Sequence, residues 1–233
     1  MLCSAFDRRH SILVFTLFWR QDGQGGYLMS FVEKVVAQFA RPTGFLGNIA
    51  GFIMAHRPSN LERNEWAISL LNLQPSDRVL EIGFGPGVTI QKMSEIVSHG
   101  VIWGIDHSEV MFRQASKRNQ RALEAGRVRL VLTPVSQLPS FDCLFDKILA
   151  VNNFQFWDNK TDVLGRLREQ LHTGGIIALV HQPRIPGATD LDVIRAGERF
   201  AHYLETAGFK DIKVERKMMK PVSTVYVQGR NLQ

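Results

Sequence analysis

The sequence predicts an α/β protein with a doubly wound, mostly parallel seven-stranded sheet, an antiparallel C-terminal strand and additional N-terminal helices. Three observations lead to this prediction. From Arg78 onwards, short apolar runs alternate with longer stretches of helical periodicity, as in parallel βαβ units. The first of these runs ends in an acid that is followed by alternating glycines. The last two runs lie close enough in sequence to form a hairpin, which would reverse the final strand.

The alternation predicts each element in order. We expect strands at 78–82, 101–105, 128–132, 145–151 and 176–181, followed by a terminal pair at 211–215 and 223–227. We expect helices near 87–98, 108–125, 158–172 and 189–206. Parallel strands joined by right-handed helical crossovers form a sheet that is covered on both faces. With 233 residues, the chain has room for one such domain and modest additions.

The N-terminal part is expected to lie outside this sheet. Residues 1–28 hold an apolar run without a small-x-small cleavage site, so we expect a poorly ordered leader rather than an export signal. Residues 29–75 are expected to form a helical cover, with a last helix opened by a capping box at Ser59–Glu62. Within this cover, the apolar stretch Phe45–Met54 carries two glycines, which favour a mobile lid over a rigid helix. Residues 76–233 would form the sheet domain.

Composition and charge exclude several classes of function. The net charge of +6 comes in part from Arg113, Lys117 and Arg121, whose spacing is that of a solvated helix face, so we expect no nucleic-acid partner. No apolar run reaches the ~18 residues of a membrane span, so we expect no stable membrane insertion. Because the leader is not expected to direct export, we expect a cytoplasmic location. The two cysteines and seven histidines show no ligand spacing, so we expect no metal.

The run Glu81-Ile82-Gly83-Phe84-Gly85-Pro86-Gly87 indicates a nucleoside-containing ligand. Glycines after a strand let the backbone approach a ligand closely, and Asp106 ends the next strand, where an acid accepts hydrogen bonds from ribose hydroxyls. The dinucleotide fingerprint G-x-G-x-x-G would place a glycine where this chain has Val88. Glu81 would also oppose a pyrophosphate, whereas it suits a cationic cofactor.

This region resembles the class I S-adenosylmethionine-dependent methyltransferases, whose first motif reads like Val79–Gly87, and the resemblance extends over about residues 60–230. It implies S-adenosyl-L-methionine as the cofactor. It also implies a set of cofactor-binding residues, namely Glu81, Gly83, Phe84, Gly85, Gly87, Asp106, His107, Val135, Ser136 and Asn152.

The resemblance assigns a role to each part of this set. Glu81 would hold the cationic end of the cofactor, Asp106 the ribose, and His107 would flank the adenine. Many relatives have an acid after the third strand where this chain has Pro134, so the backbone of Val135 and the side chain of Ser136 or Gln137 would contact the adenine instead. Asn152, at the end of the fourth strand, would lie near the methionine part and the reactive methyl.

The acceptor is expected to be a small molecule, because no recognition domain for protein or nucleic acid is evident. The apolar lid and the aromatic residues Phe154, Phe156 and Trp157 favour a largely apolar acceptor, although core packing explains one or two of these aromatic residues equally well. His181, just after the fifth strand, is the candidate general base. Two alternatives stay open: a nicotinamide-dependent oxidoreductase and a non-catalytic cofactor-binding protein of the same fold. The oligomeric state also stays open.

Overall fold

The computed structural model describes residues 44–233. Within this range the helices are α1 (Gly44–His56), α2 (Pro58–Leu71), α3 (Val88–Ile96), α4 (Glu109–Arg118), α5 (Gln120–Glu124), α6 (Lys160–Glu169) and α7 (Asp190–Thr206), and Phe154–Phe156 form a 3₁₀ turn. The strands are β1 (Arg78–Ile82), β2 (Val101–Asp106), β3 (Val128–Leu132), β4 (Phe145–Val151), β5 (Leu171–His181), β6 (Lys210–Lys217) and β7 (Thr224–Arg230). The predicted leader and the predicted cover up to residue 43 lie outside the described residues.

The strands form one seven-stranded sheet in the order β3-β2-β1-β4-β5-β7-β6. Strands β1 to β5 are parallel to their neighbours, and β7 runs antiparallel to both β5 and β6. The predicted fold class is therefore confirmed. The chain leaves β1 towards β2 on one side and later returns to β4 on the other. Ligands of open α/β sheets bind at such a switch point, at the carboxyl ends of the strands.

The core lies on both faces of the sheet because successive strand residues point to opposite sides. On β1, Leu80 packs with the layer that includes α6 and α7, while Val79 packs with the layer that includes α2 and α3. Both side chains are fully buried. Near-continuous apolar strands such as β5 therefore reflect burial on two faces.

The helix predicted over residues 108–125 is interrupted in the structure. Helix α4 ends at Arg118 and α5 begins at Gln120, with Asn119 between them. The buried Asn119 amide donates to the carbonyl of Gly87 at 3.1 Å and to that of Ala115 at 2.9 Å. This tertiary contact fixes the break next to the glycine turn.

Two predicted element starts also differ. Helix α2 begins at Pro58 with Arg57 as its N-cap and no capping hydrogen bond from a side chain, so the predicted capping box at Ser59–Glu62 is wrong. Proline fits the first helical turn because its missing N–H has no partner there in any case. Strand β5 begins at Leu171 rather than at residue 176, and it pairs with Phe145 across an irregularity in the register.

Helix α1 packs against α4 through a glycine. A Cβ on Gly51 would lie 2.6 Å from the Met111 Cε, so a larger residue could keep this approach only if the flexible Met111 side chain moved. Phe52 and Ile53 are exposed on α1. Of the described helices, none is long and apolar enough to cross a membrane. The predicted basic stripe, which runs over α4 and α5 in the structure, does face solvent, since three cationic side chains are exposed: Arg113, Lys117 and Arg121.

Candidate functional site

The glycine turn after β1 separates two roles for its glycines. Gly83, Gly85 and Gly87 all have positive φ, at 68°, 52° and 77°. A Cβ on Gly83 would collide with the Asn153 side chain, and one on Gly87 would lie 2.6 Å from the Asn119 amide nitrogen. A Cβ on Gly85 would meet nothing within 4 Å. Gly83 and Gly87 are therefore required by packing, whereas Gly85 borders open space at the switch point.

Phe84 does not offer its ring to this space. Its side chain is buried and packs against β2, where a Cβ on Gly104 would lie 2.8 Å from the Phe84 ring. The predicted contact of Phe84 with a ligand is therefore restricted to its backbone. The ring instead anchors the turn to the sheet.

Glu81 is a buried carboxylate with an unsatisfied oxygen. Only 2% of the residue is exposed, and its Oε2 has no hydrogen-bond partner among the described residues. The Thr89 hydroxyl bonds to the carboxylate, but burial raises the pKa of Glu81 well above its usual range, and the charge of Asp106 raises it further. A buried carboxylate of this kind is costly until a donor or a cation reaches it.

Asp106, at the end of β2, reaches back to the glycine turn. Its Oδ2 accepts from the Gly85 amide at 2.9 Å, and its Oδ1 accepts from the Ser108 amide at 2.8 Å. Burial raises the pKa of Asp106, and these two amides act in the opposite direction. The neighbouring His107 is largely exposed, with its Nδ1 3.9 Å from Asp106 Oδ1.

The loop after β3 lies beside Asp106. The Thr133 amide donates to the Asp106 carbonyl at 2.9 Å, which draws the loop towards the end of β2. Val135 is half-buried against the core, while Ser136 is exposed and its carbonyl accepts from Arg166 at 3.0 Å. The structure thus brings both predicted residues to the same edge as Asp106.

Asn152, after β4, uses its amide within the protein. Its Nδ2 donates to the Gln182 carbonyl at 2.9 Å, and its Oδ1 accepts from the Gln182 amide at 2.7 Å. The Gln182 side chain in turn donates to the Val222 carbonyl at 2.7 Å. The predicted Asn152 side chain therefore ties the ends of β4 and β5 together.

The three aromatic residues after β4 divide between core and surface. Phe154 is buried and makes edge contacts with Trp157 and Phe200, at centroid distances of 5.1 and 4.6 Å. Trp157 is also buried, and its Nε1 donates to Asn153 Oδ1 at 3.0 Å. Phe156 is 57% exposed. Core packing therefore accounts for two of the three.

His181 ends β5 at the same edge of the sheet. Its Nδ1 is buried and has no hydrogen-bond partner among residues 44–233. Burial lowers the pKa of the imidazole to about 4, and the charges of Arg63, Arg199 and Arg184 act in the same direction. The ring is therefore neutral at pH 7 and has a free nitrogen, but it is a weak base.

Similarity to known proteins shows the family to which this chain belongs. Residues 79–175 match the protein family described as a methyltransferase domain. An uncharacterized methyltransferase of Bacillus subtilis, YdaC, is 33% identical over 177 residues, which cover 76% of this chain and 94% of YdaC. The chain belongs to the class I S-adenosylmethionine-dependent methyltransferases.

Other relatives of this methyltransferase agree with that family. The erythromycin 3''-O-methyltransferase of Saccharopolyspora erythraea is 25% identical over 164 residues, covering 61% of this chain and 54% of the relative. Among solved structures, a SAM-dependent methyltransferase from Aquifex aeolicus matches with a TM-score of 0.63 and 21% identity, over 78% of this chain and 97% of that one. A phosphoethanolamine N-methyltransferase from Haemonchus contortus, in complex with phosphomonomethylethanolamine and S-adenosylhomocysteine, also reaches 0.63 at 15% identity, over 80% and 58% of the two chains.

The residues of this methyltransferase fit S-adenosylmethionine, the cofactor of its family. The open space at Gly85 admits a ligand that a side chain would exclude, and the unsatisfied Glu81 oxygen suits the cationic amino-acid end of the cofactor. Asp106 ends the strand paired with that of Glu81, and its carboxylate accepts from the Gly85 amide. The family and these residues therefore favour methyl transfer over the hydride transfer of a nicotinamide-dependent oxidoreductase.

Two residues that support the site were missed in the sequence. Asn153 donates its amide to the Ile82 carbonyl and accepts from the Trp157 ring nitrogen, so it links β1 to the loop after β4. Thr89, buried at the start of α3, accepts from Asn64 at 2.9 Å and contacts Glu81. Neither position carries a motif, and the partners Ile82 and Asn64 lie 71 and 25 positions away in the sequence.

Proposed function

We propose that this protein transfers the methyl group of S-adenosylmethionine to a small-molecule acceptor by in-line displacement. The observation that carries the proposal is the buried Glu81 oxygen without a partner beside the open space at Gly85. A cationic ligand with a ribose would satisfy Glu81 and meet Asp106 one strand away. The names of the erythromycin and phosphoethanolamine enzymes, both of which act on small molecules, support the class of acceptor.

The cofactor would contact the site residues in order along the sheet edge. Glu81 would receive the ammonium end, and the backbone from Gly83 to Gly87, including that of Phe84, would border the ligand at Gly85. Asp106 would accept from the ribose hydroxyls. His107, Val135 and Ser136 would border the adenine, since they flank Asp106. Asn152 would offer only the second lone pair of its backbone carbonyl, because Gln182 occupies its side-chain amide and its N–H donates to the Val180 carbonyl.

The chemistry asks little of the protein beyond alignment. The cofactor supplies an activated methyl group on a sulfonium. The protein contributes proximity and orientation, which are worth ~7–11 kcal/mol in favourable cases. His181 would take a proton only from an acceptor that loses it readily, because the pKa of the ring is lowered to about 4.

Helix α1 would cover the acceptor. It packs through Gly51 on α4, the helix that follows Asp106, and its Phe52 and Ile53 are exposed apolar side chains. Together with the exposed Phe156, this surface favours an acceptor with a largely apolar body. We place the reaction in the cytoplasm, where the cofactor is supplied.

Two measurements test the proposal. Calorimetry should show binding of S-adenosylmethionine and S-adenosylhomocysteine, with NAD and NADP at background. A metabolite extract incubated with methyl-labelled cofactor should yield a labelled small molecule. Binding without any labelled product would favour the alternative of a non-catalytic cofactor-binding protein, and no cofactor binding at all would refute the proposal.

A further inference from the structure

Two arginines, Arg63 and Arg184, meet at the start of α2 beside the end of β5, with the exposed Arg57 close to them. Arg63 on α2 is only 6% exposed, and Arg184 follows β5 and is half-buried. One oxygen, Asn60 Oδ1, accepts from both guanidinium groups, at 3.1 Å in the case of Arg63. Arg57 lies close enough for its charge to act on both. We refer to Arg57, Arg63 and Arg184 as the arginine cluster.

Within the described part of the chain, the arginine cluster has no acidic partner. No carboxylate of residues 44–233 lies within 4 Å of its guanidinium groups; their hydrogen-bond acceptors are neutral oxygens of Ser59, Asn60 and Asn64. The glutamates of α2 pair elsewhere, Glu62 with Lys217 and Glu65 with Lys92.

The charges of the arginine cluster repel one another. Burial lowers the pKa of Arg63 to about 9 and that of Arg184 to about 10, and the neighbouring arginines add to both shifts. Buried cations are normally paired, because the loss of hydration is otherwise not offset. An anion at this corner would supply the missing charge.

The arginine cluster is connected to the cofactor site. Asn64 accepts from Arg63 at 3.0 Å and donates to Thr89 at 2.9 Å, and Thr89 contacts Glu81. On the other side, the charges of Arg63 and Arg184 act on His181. The cluster therefore lies at the carboxyl edge of the sheet, between Glu81 and His181, where an acceptor would approach the methyl group.

We propose that the arginine cluster binds an anionic group, a carboxylate or a phosphate, of the methyl acceptor. This inference rests on the proposed function. The carboxylate of the cofactor's own amino acid has the same chemistry, but it comes with an ammonium group of opposite charge. Guanidiniums without a carboxylate partner among the described residues match a separate anion better, and Arg63 and Arg184 keep N–H donors beyond those bonded to Ser59, Asn60 and Asn64. The acceptor would then be amphipathic, with its apolar body under α1 and its anionic group at the corner.

The test uses inorganic phosphate as the probe and the protein saturated with S-adenosylhomocysteine, at constant ionic strength. Arg184→Gln should weaken phosphate binding about tenfold, the loss expected for charge-assisted hydrogen bonds. Arg184→Lys should keep part of the affinity, because it keeps the charge but loses the planar fork. Arg113→Gln, which removes an exposed arginine of α4, is the matched control and should bind phosphate like the wild type.

The possible results distinguish an anion of the acceptor from the carboxylate of the cofactor, and they test the anion site separately from the proposed function. Unchanged affinity for S-adenosylhomocysteine in Arg184→Gln, together with weaker phosphate binding, supports an acceptor site. Loss of S-adenosylhomocysteine affinity in that variant would assign the cluster to the cofactor and overturn the inference. Equal phosphate binding by Arg184→Gln and Arg113→Gln would also overturn it, while leaving the proposed function intact. If wild-type protein does not bind S-adenosylhomocysteine, the proposed function itself fails.

Discussion

Replacing Gly85 by alanine separates the demands of the fold from those of the ligand. Gly85 has a φ of 52°, and a Cβ there would meet nothing within 4 Å. The only cost to the free protein is the left-handed backbone, about 1–2 kcal/mol for an L-residue. Gly87→Ala would pay the same cost and in addition force its Cβ to 2.6 Å from the Asn119 amide and 2.7 Å from the Ala115 Cβ.

Gly126 supplies the matched control for backbone strain. It has a φ of 70° in the turn after α5, and a Cβ there would also meet nothing within 4 Å. Urea denaturation should show that Gly85→Ala and Gly126→Ala each lose about 1–2 kcal/mol of unfolding free energy, and that Gly87→Ala loses more. Calorimetry with S-adenosylhomocysteine should show a loss of tenfold or more, about 1.4 kcal/mol, for Gly85→Ala alone.

The reasoning would be refuted if Gly85→Ala bound S-adenosylhomocysteine as tightly as Gly126→Ala. The space beside Gly85 would then not be where the cofactor lies. A Gly85→Ala protein as unstable as Gly87→Ala would contradict the packing difference between the two glycines.

Three further predictions concern the titratable residues of the site. Asp106→Asn should lower S-adenosylhomocysteine affinity at least tenfold in calorimetry, because hydrogen bonds to a charged acceptor are worth about 1.5–3 kcal/mol. If the variant bound as tightly as the wild type, Asp106 would not be the ribose ligand. Because burial raises the pKa of Glu81, ionising this residue lowers the unfolding free energy of the free protein as pH rises. Thermal denaturation at pH 8 should therefore show that Glu81→Gln is more stable than the wild type, while calorimetry should show that it binds the cofactor more weakly. Because the pKa of His181 is lowered to about 4, the wild type should lose ~3 kcal/mol more unfolding free energy than His181→Asn as pH falls from about 6.5 to 4, and equal losses in the two proteins would exclude this cause.

The sheet could be predicted because its signals are local. Apolar runs such as Arg78–Ile82 and Val101–Asp106 show their burial in their own composition, and the predicted bounds differ from the observed ones by at most one residue. The glycine spacing and Asp106 likewise lie within a short stretch around two strand ends. Such features need no knowledge of distant partners.

The remaining features depend on partners far away in the sequence. The break at Asn119 arises from a contact with Gly87, 32 positions earlier, and the Asn152 amide is occupied by Gln182, 30 positions later. In the arginine cluster, Arg184 donates to the Ser59 hydroxyl, 125 positions earlier in the sequence. The periodicity of a single segment contains no information on these contacts. The sequence alone therefore predicts neither that Gln182 occupies the Asn152 amide nor that the arginine cluster lacks an acidic partner among the described residues.

The ties between β4, β5 and β7 determine how the site can open. Asn152 is bonded twice to Gln182, Gln182 to Val222, and the Thr224 hydroxyl to the His181 carbonyl at 3.0 Å, so the loops on that side are cross-linked. Helix α1, by contrast, approaches α4 through Gly51, with Phe52 and Ile53 exposed. Segments with few buried contacts open at lower free energy than the rest of a fold. Under the proposed function, we therefore expect α1 rather than the cross-linked strand ends to move when the acceptor enters and the product leaves.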